Sequence, residues 1–193
     1  MNFTAGEIYH IYNRGNNAQV IFFSNDNYLF FLRKIRKELN PYCEVLAYCL
    51  MPNHFHLMVC VKSSDDSASS DDYNRKLNQG IAILLRSYTR AIQKQENFKG
   101  SLFQQKSKAV ELNNNTGYGL NHPAICLHYI HQNPLKASIV RKMEDWEFSS
   151  FKDYAGLRAG TLCNKQLGFS LTGIQRENFI KESYEAMIDI EER

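Results

Sequence analysis

The sequence predicts an α+β domain built on a ferredoxin-like antiparallel sheet, and three observations support this. The apolar pattern changes period along the chain in the order strand, helix, strand, strand, helix, strand, which is the β-α-β-β-α-β unit with helices on one sheet face. No repeat or linker divides the 193 residues, a length suited to one compact domain. An apolar content of 44%, with 12% aromatic residues, supplies a core and excludes a globally disordered chain.

The elements follow in order. Glu7–Asn13 is rich in Ile and Tyr and stops at the turn cluster Arg14-Gly15-Asn16-Asn17, so it reads as a strand and loop. From Ser24 the period becomes helical: Tyr28, Leu32, Ile35 and Leu39 share a face until Asn40-Pro41. Glu44–Met51 and Phe55–Val61 are apolar runs broken only by Pro52-Asn53, a tightly joined antiparallel pair. Lys62–Asp72 (KSSDDSASSDD) has nothing to bury and reads as a flexible loop. Leu77, Ile81, Leu84, Tyr88 and Ile92 stripe a second helix. Ser101–Leu112 reads as a fourth strand, followed by a polar loop over Asn113–Asn121. Pro123 suits the first turn of a third helix ending near Asn133, because Pro134 disfavours its continuation. Residues 1–155 are expected to form the functional domain. Residues 156–193 are expected to be an extension packed on it or partly flexible.

Charge is distributed unevenly. Residues 73–110 carry eight Lys or Arg and one acid, Glu96, whereas 62–72 and 176–193 each balance to −3. On the second helix Arg86, Arg90 and Lys94 recur every four residues. That stripe is either a solvated helix face or a polyphosphate-binding surface. Five cysteines form no C-x-x-C pair, as expected of reduced, buried thiols in a cytoplasmic protein. The first seven residues have neither a basic start nor an apolar core, so no signal peptide is expected. No apolar run approaches the ~20 residues of a membrane span.

Two constellations could carry chemistry. His54 and His56 begin a strand two residues apart, so both imidazoles project from one face while Phe55 enters the other. They are either a hydrogen-bonded pair or two ligands of a divalent ion, and two ligands alone are too few for a tight site. Tyr129 and Asn133 are one helical turn apart. Tyr129 is either a core residue or a nucleophile beside a third ligand, the Asn133 amide oxygen. A phenol with a reference pKa of about 10 needs help to attack at neutral pH, and a metal polarising the attacked phosphate would provide it.

Residues 51–59 (MPNHFHLMV), 129–137 (YIHQNPLKA) and 146–150 (WEFSS), with 9–15 (YHIYNRG) as an opening strand, resemble the signatures of REP-associated tyrosine transposases. These are insertion-sequence-200-like, single-tyrosine members of the HUH endonuclease superfamily. The resemblance runs from about residue 7 to about residue 155. It implies the same ferredoxin-like sheet, His54 and His56 as the metal pair, Asn133 as third ligand and Tyr129 as nucleophile. It further implies a Mg²⁺ or Mn²⁺ cofactor and a single-stranded DNA endonuclease and strand transferase working through a 5′-phosphotyrosine. The expected partners are palindromic single-stranded DNA hairpins, with no membrane association, in a monomer or homodimer of the prokaryotic cytoplasm, near the nucleoid. Arg14, Arg86, Arg90, Lys94, Lys106 and Lys108 are the candidates for DNA contacts.

Other readings compete. An HxHxH nucleotide hydrolase would need histidine at position 58, which is Met58. A ferredoxin-like RNA-binding module would need Tyr48 and Phe55 exposed on the sheet. A domesticated hairpin-binding relative that no longer cuts remains the alternative, since intact residues do not establish activity.

Overall fold

The computed structural model describes residues 1–63, 70–113 and 122–186. The first strand, β1 (Ile8–Arg14), is followed by a 3-10 turn and by α1 (Asn25–Glu38). A hairpin of β2 (Cys43–Met51) and β3 (His54–Val61) leads to α2 (Ser70–Glu96) and β4 (Lys108–Leu112). The strands lie in the order β2-β3-β1-β4, each neighbouring pair antiparallel. This is the ferredoxin-like arrangement that the changes of period predict. There follow α3 (Pro123–Lys136), α4 (Phe151–Tyr154), α5 (Lys165–Thr172) and α6 (Phe179–Glu185).

The sheet separates two cores. Tyr9, Ile11, Tyr48, Leu50, Phe55, Leu57 and Val59 point to one face, where Phe31 and Ile35 of α1 and Leu77, Leu84 and Tyr88 of α2 cover them. Ile8, Cys49, Met51 and Met58 point to the other, under Cys126, Leu127, Tyr129 and Ile130 of α3 and Phe151 and Phe179 of α4 and α6. Alternation is the cause: successive strand residues face opposite ways. A register shift between Val45 and Ala47 lets Leu46 and Ala47 both face α3 before alternation resumes, as a bulge does. Two glycines permit close approaches. A Cβ on Gly15 would lie 2.1 Å from the Gln19 carbonyl oxygen, and one on Gly80 would lie 2.3 Å from that of Glu38, where α2 crosses the end of α1.

Three expectations need correction. The fourth strand is Lys108–Leu112 rather than Ser101–Leu112, because 102–104 bonds instead to the turn after β1: Asn16 N donates to Leu102 O (2.9 Å) and Gln104 N to Arg14 O (2.9 Å). The third helix runs through Pro134 to Lys136, since a proline in the last turn forfeits a single bond to the carbonyl four residues back. The acidic loop is shorter than 62–72, because Ser70 already opens α2 and Asp72 pairs there with Arg75 (2.6 Å) and Lys76 (2.5 Å). The rest of that loop, 64–69, lies outside the described residues, as do 114–121 of the expected polar loop and the last seven residues. Among the described residues no helix is long and apolar enough to cross a membrane.

Candidate active site

His54 and His56 stand on β3 facing α3, and β1 supplies their neighbours: Arg14 pairs with His54 and Tyr12 with His56 across the ladder. The two rings lie 5.0 Å apart, edge to face. Tyr129 descends from α3 onto the same patch, 5.5 Å from the His56 ring and 6.0 Å from His10, edge-on to both. Its ring is 4% exposed, and Lys136, seven residues on along the helix, holds its ammonium 6.0 Å from the ring centre.

The hydrogen bonds orient the donor atoms. Asn133 donates its amide N–H to Tyr129 O (2.8 Å), which turns its Oδ1 towards His54 Nε2, 3.5 Å away. Asn53 donates to Ala18 O (3.5 Å) and so presents its own Oδ1 to His54 Nδ1 (2.6 Å). His54 is thus held between two amide oxygens, one at each ring nitrogen. Asn133 also hydrogen-bonds His56, whose pKa is pushed well below its ordinary value by burial first, and by His10, His54 and Arg14 next. Among the described residues no group of three His, Cys, Asp or Glu could hold a metal. The groups here that could hold an ion are the imidazole nitrogens of His54 and His56 and the Asn133 amide oxygen. Such a set would leave coordination positions open, as a Mg²⁺ or Mn²⁺ site would and a closed structural zinc site would not.

Two further residues meet at this site, His10 and Lys136, to which the sequence analysis assigns no role. His10 lies 2.9 Å from His56 through Nε2 and Nδ1, is 5% exposed, and burial lowers its pKa to about 4. Strand parity places it on the face of His56, and helix parity places Lys136 below Tyr129. The 146–150 motif serves the scaffold. Residues 148–150 bond along the free edge of β2 through Leu50 N to Phe148 O and Ser150 N to Tyr48 O (both 2.9 Å). Ser150 Oγ meets His131 Nε2 at 2.8 Å, tying α3 to β2.

The six basic candidates do not form one surface. Arg14 ends β1 beside His54, and Lys108 stands on the site's face with its ammonium 5.7 Å from the Tyr12 ring. Arg86 and Arg90 lie across the sheet, in a groove of about 670 Å³ between α2 and the segment before β4, with Asn13, Phe103 and Gln104. Lys94 and Lys106 are exposed and do not line that groove. Tyr48 and Phe55 are buried in the α1/α2 core, which removes the exposed platform an RNA-binding module requires. Tyr88 and Tyr154 donate to the carbonyls of Ile21 and Leu46, so neither phenol is placed to attack a substrate.

No family model matches the chain. A protein of Haemophilus influenzae that bears the name REP-associated tyrosine transposase is 28% identical across 116 positions, 56% of this chain and 58% of that one. The chain thus spans somewhat over half the length of this curated relative. A solved REP-associated tyrosine transposase bound to a REP hairpin shares the fold, with a TM-score of 0.54 and 20% identity over 85% of this chain and 91% of that one. The resemblance read from the motifs is met in both comparisons.

Proposed function

We propose that this protein is a REP-associated tyrosine transposase: a metal-dependent single-stranded DNA endonuclease and strand transferase acting on hairpins. The observation that carries the reading is the convergence of His54, His56, Asn133 and Tyr129 on one sheet face, with the Asn133 oxygen 3.5 Å from His54 Nε2. A divalent ion held by His54, His56 and Asn133 would supply Lewis-acid polarisation of the scissile phosphate.

The chain's own groups do the rest. The Tyr129 oxygen attacks phosphorus and loses its proton to solvent. The bond from phosphorus to the 3′-oxygen breaks, and that oxygen leaves as a hydroxyl after taking up a proton. The product is a 5′-phosphotyrosine, and attack by another 3′-hydroxyl reverses the step and joins strands without an outside energy source. Lys136 beside the phenol and Arg14 beside His54 favour a polyanion here. Arg86 and Arg90 would hold phosphates of the same strand where it rounds the Arg14-Gly15 end of β1, since Asn13 lines their groove. Because Tyr129 is 4% exposed, entry of the strand has to displace what covers the ring, so binding and cleavage are separable steps.

The test is covalent trapping. Labelled single-stranded hairpin incubated with protein and Mn²⁺ is expected to give an adduct stable on a denaturing gel, and Tyr129→Phe to give none while still shifting the hairpin. An adduct with the Phe variant would refute Tyr129 as nucleophile. Hairpin binding without any wild-type adduct would instead identify a non-cutting, domesticated relative.

A further inference from the structure

Beside the ligands that the proposed function names lies a buried histidine to which that reading gives no work. His10 sits on the middle strand β1, stacked between Tyr12 (centroids 4.8 Å apart) and His56 (5.1 Å), and its Nε2 is 2.9 Å from His56 Nδ1. A buried pair of neutral imidazoles shares one proton across such a contact: one ring donates and the other accepts. Which ring donates decides what the far nitrogen of His56 can do. If His10 Nε2 donates, the His56 proton sits on Nε2, and that nitrogen can serve only the Asn133 amide oxygen. If His10 Nε2 accepts, the His56 proton sits on Nδ1, and the Nε2 lone pair is available to a cation.

We infer that His10 is a positioning residue: with an ion held at the site, it accepts a hydrogen bond from His56 Nδ1–H, so that His56 Nε2 turns its lone pair to the metal instead of a proton to Asn133. This rests on the metal reading above and adds to it the group that sets the second ligand's tautomer. Asn53 does the same for His54 through the 2.6 Å contact with its Nδ1, so each imidazole has its own orienting acceptor, one an amide and the other an imidazole. Ligating histidines are commonly oriented in this way, and loss of the partner costs 10–100-fold in metal affinity. His10 is held for the task by position. The ladder places it opposite Met58, 5% exposed, between the rings of Tyr12 and His56.

The experiment measures Mn²⁺ affinity by electron paramagnetic resonance on Tyr129→Phe protein, so that no turnover intervenes, with thermal melts to confirm folding. His10→Phe keeps the stacking and removes the acceptor, and a 10–100-fold weaker affinity is expected; His10→Gln restores an acceptor and should recover most of it. Unchanged affinity in His10→Phe overturns the inference while leaving the metal reading intact. Equal affinity in the parent and in His54→Ala overturns the metal reading, and this inference with it. If His10→Phe does not fold, ¹⁵N-imidazole spectra of the Mg²⁺-loaded parent decide. The expected His56 form carries its proton on Nδ1, and a proton on Nε2 refutes the assignment.

Discussion

Acid should unfold this protein well above the pH at which its carboxylates protonate, and three histidines set the scale. Burial lowers His10 and His128 to about 4 and His131 to about 3, against an unfolded value of about 6.5. Above pH 6.5 both states are neutral at these rings and stability is flat. Below it the unfolded chain takes up protons that the native state refuses, so stability falls with pH until the native rings titrate near 4 and 3. Each ring contributes a slope of about 1.4 kcal/mol per pH unit across that window. By pH 5 each has removed about 2 kcal/mol, and the three together about 6, comparable with the whole of an ordinary domain's 5–15 kcal/mol. The assay is urea unfolding followed by Trp146 fluorescence at pH 7.5, 6 and 5. His131→Leu should flatten the acid slope by about one proton, because Ser150 Oγ keeps its bonds with Tyr48 N and O when the imidazole is gone. Equal unfolding free energies at pH 7.5 and 5 would refute the argument.

Three other outcomes are expected. Gly80→Ala should cost about 1–3 kcal/mol in urea melts, since its Cβ would have to push α1 and α2 apart, and an unaltered midpoint would mean that the helices part freely. Replacing Arg86 and Arg90 by Gln should reduce the slope of log K against log salt by about 1.4 for hairpins of any sequence, at roughly 0.7 per phosphate contact on single strands; an unchanged slope places the DNA elsewhere. Native thiol titration should label Cys60 first and slowly, because burial pushes its thiol up and drives Cys43 up to about 12, with Cys49, Cys126 and Cys163 buried as well; fast labelling of two or more thiols would show an open α3 face.

Periodicity exposed those parts of the fold that alternation and helical spacing dictate. Leu77, Ile81, Leu84, Tyr88 and Ile92 are all buried, as their 3–4 spacing requires. Ser101–Ser107 misled because its apolar residues are real core, Leu102 and Phe103, held by bonds to the turn after β1 rather than by a ladder. Pro134 misled because a proline's effect depends on how much helix follows, and here one turn does not. The basic stripe could not be oriented from sequence, since the face of α2 that meets the segment before β4 is fixed by chain crossing, not by local pattern. His54, His56, Tyr129 and Asn133 stand out by spacing and take their roles only from the resemblance of their motifs, whereas the contacts that orient them, from Asn53 and His10, depend on turn geometry and on the pairing of β1 with β3.

That pairing is where fold and chemistry meet. Because side chains alternate, a slip of β3 by one residue would turn His54 and His56 into the α1/α2 core and bring Phe55 and Leu57 out under α3. Nothing in the imidazoles prevents it; the opposite face does. Phe55 packs against Phe31 (5.1 Å) and Phe103 (6.1 Å), inside an aromatic cluster that includes Phe22 and Tyr88. Removing such a ring from a packed core costs about 3–5 kcal/mol, and burying two imidazoles in its place would add the cost of unmet polar groups. The register is fixed further by the β2 bulge at 45–47 and by the bond from Gly15 N to Asn53 O (2.7 Å) at the hairpin tip. The proposed active site is therefore aimed by residues that never touch it. An aromatic core on one face of the sheet holds the imidazoles on the other, which explains why a phenylalanine stands between the two histidines.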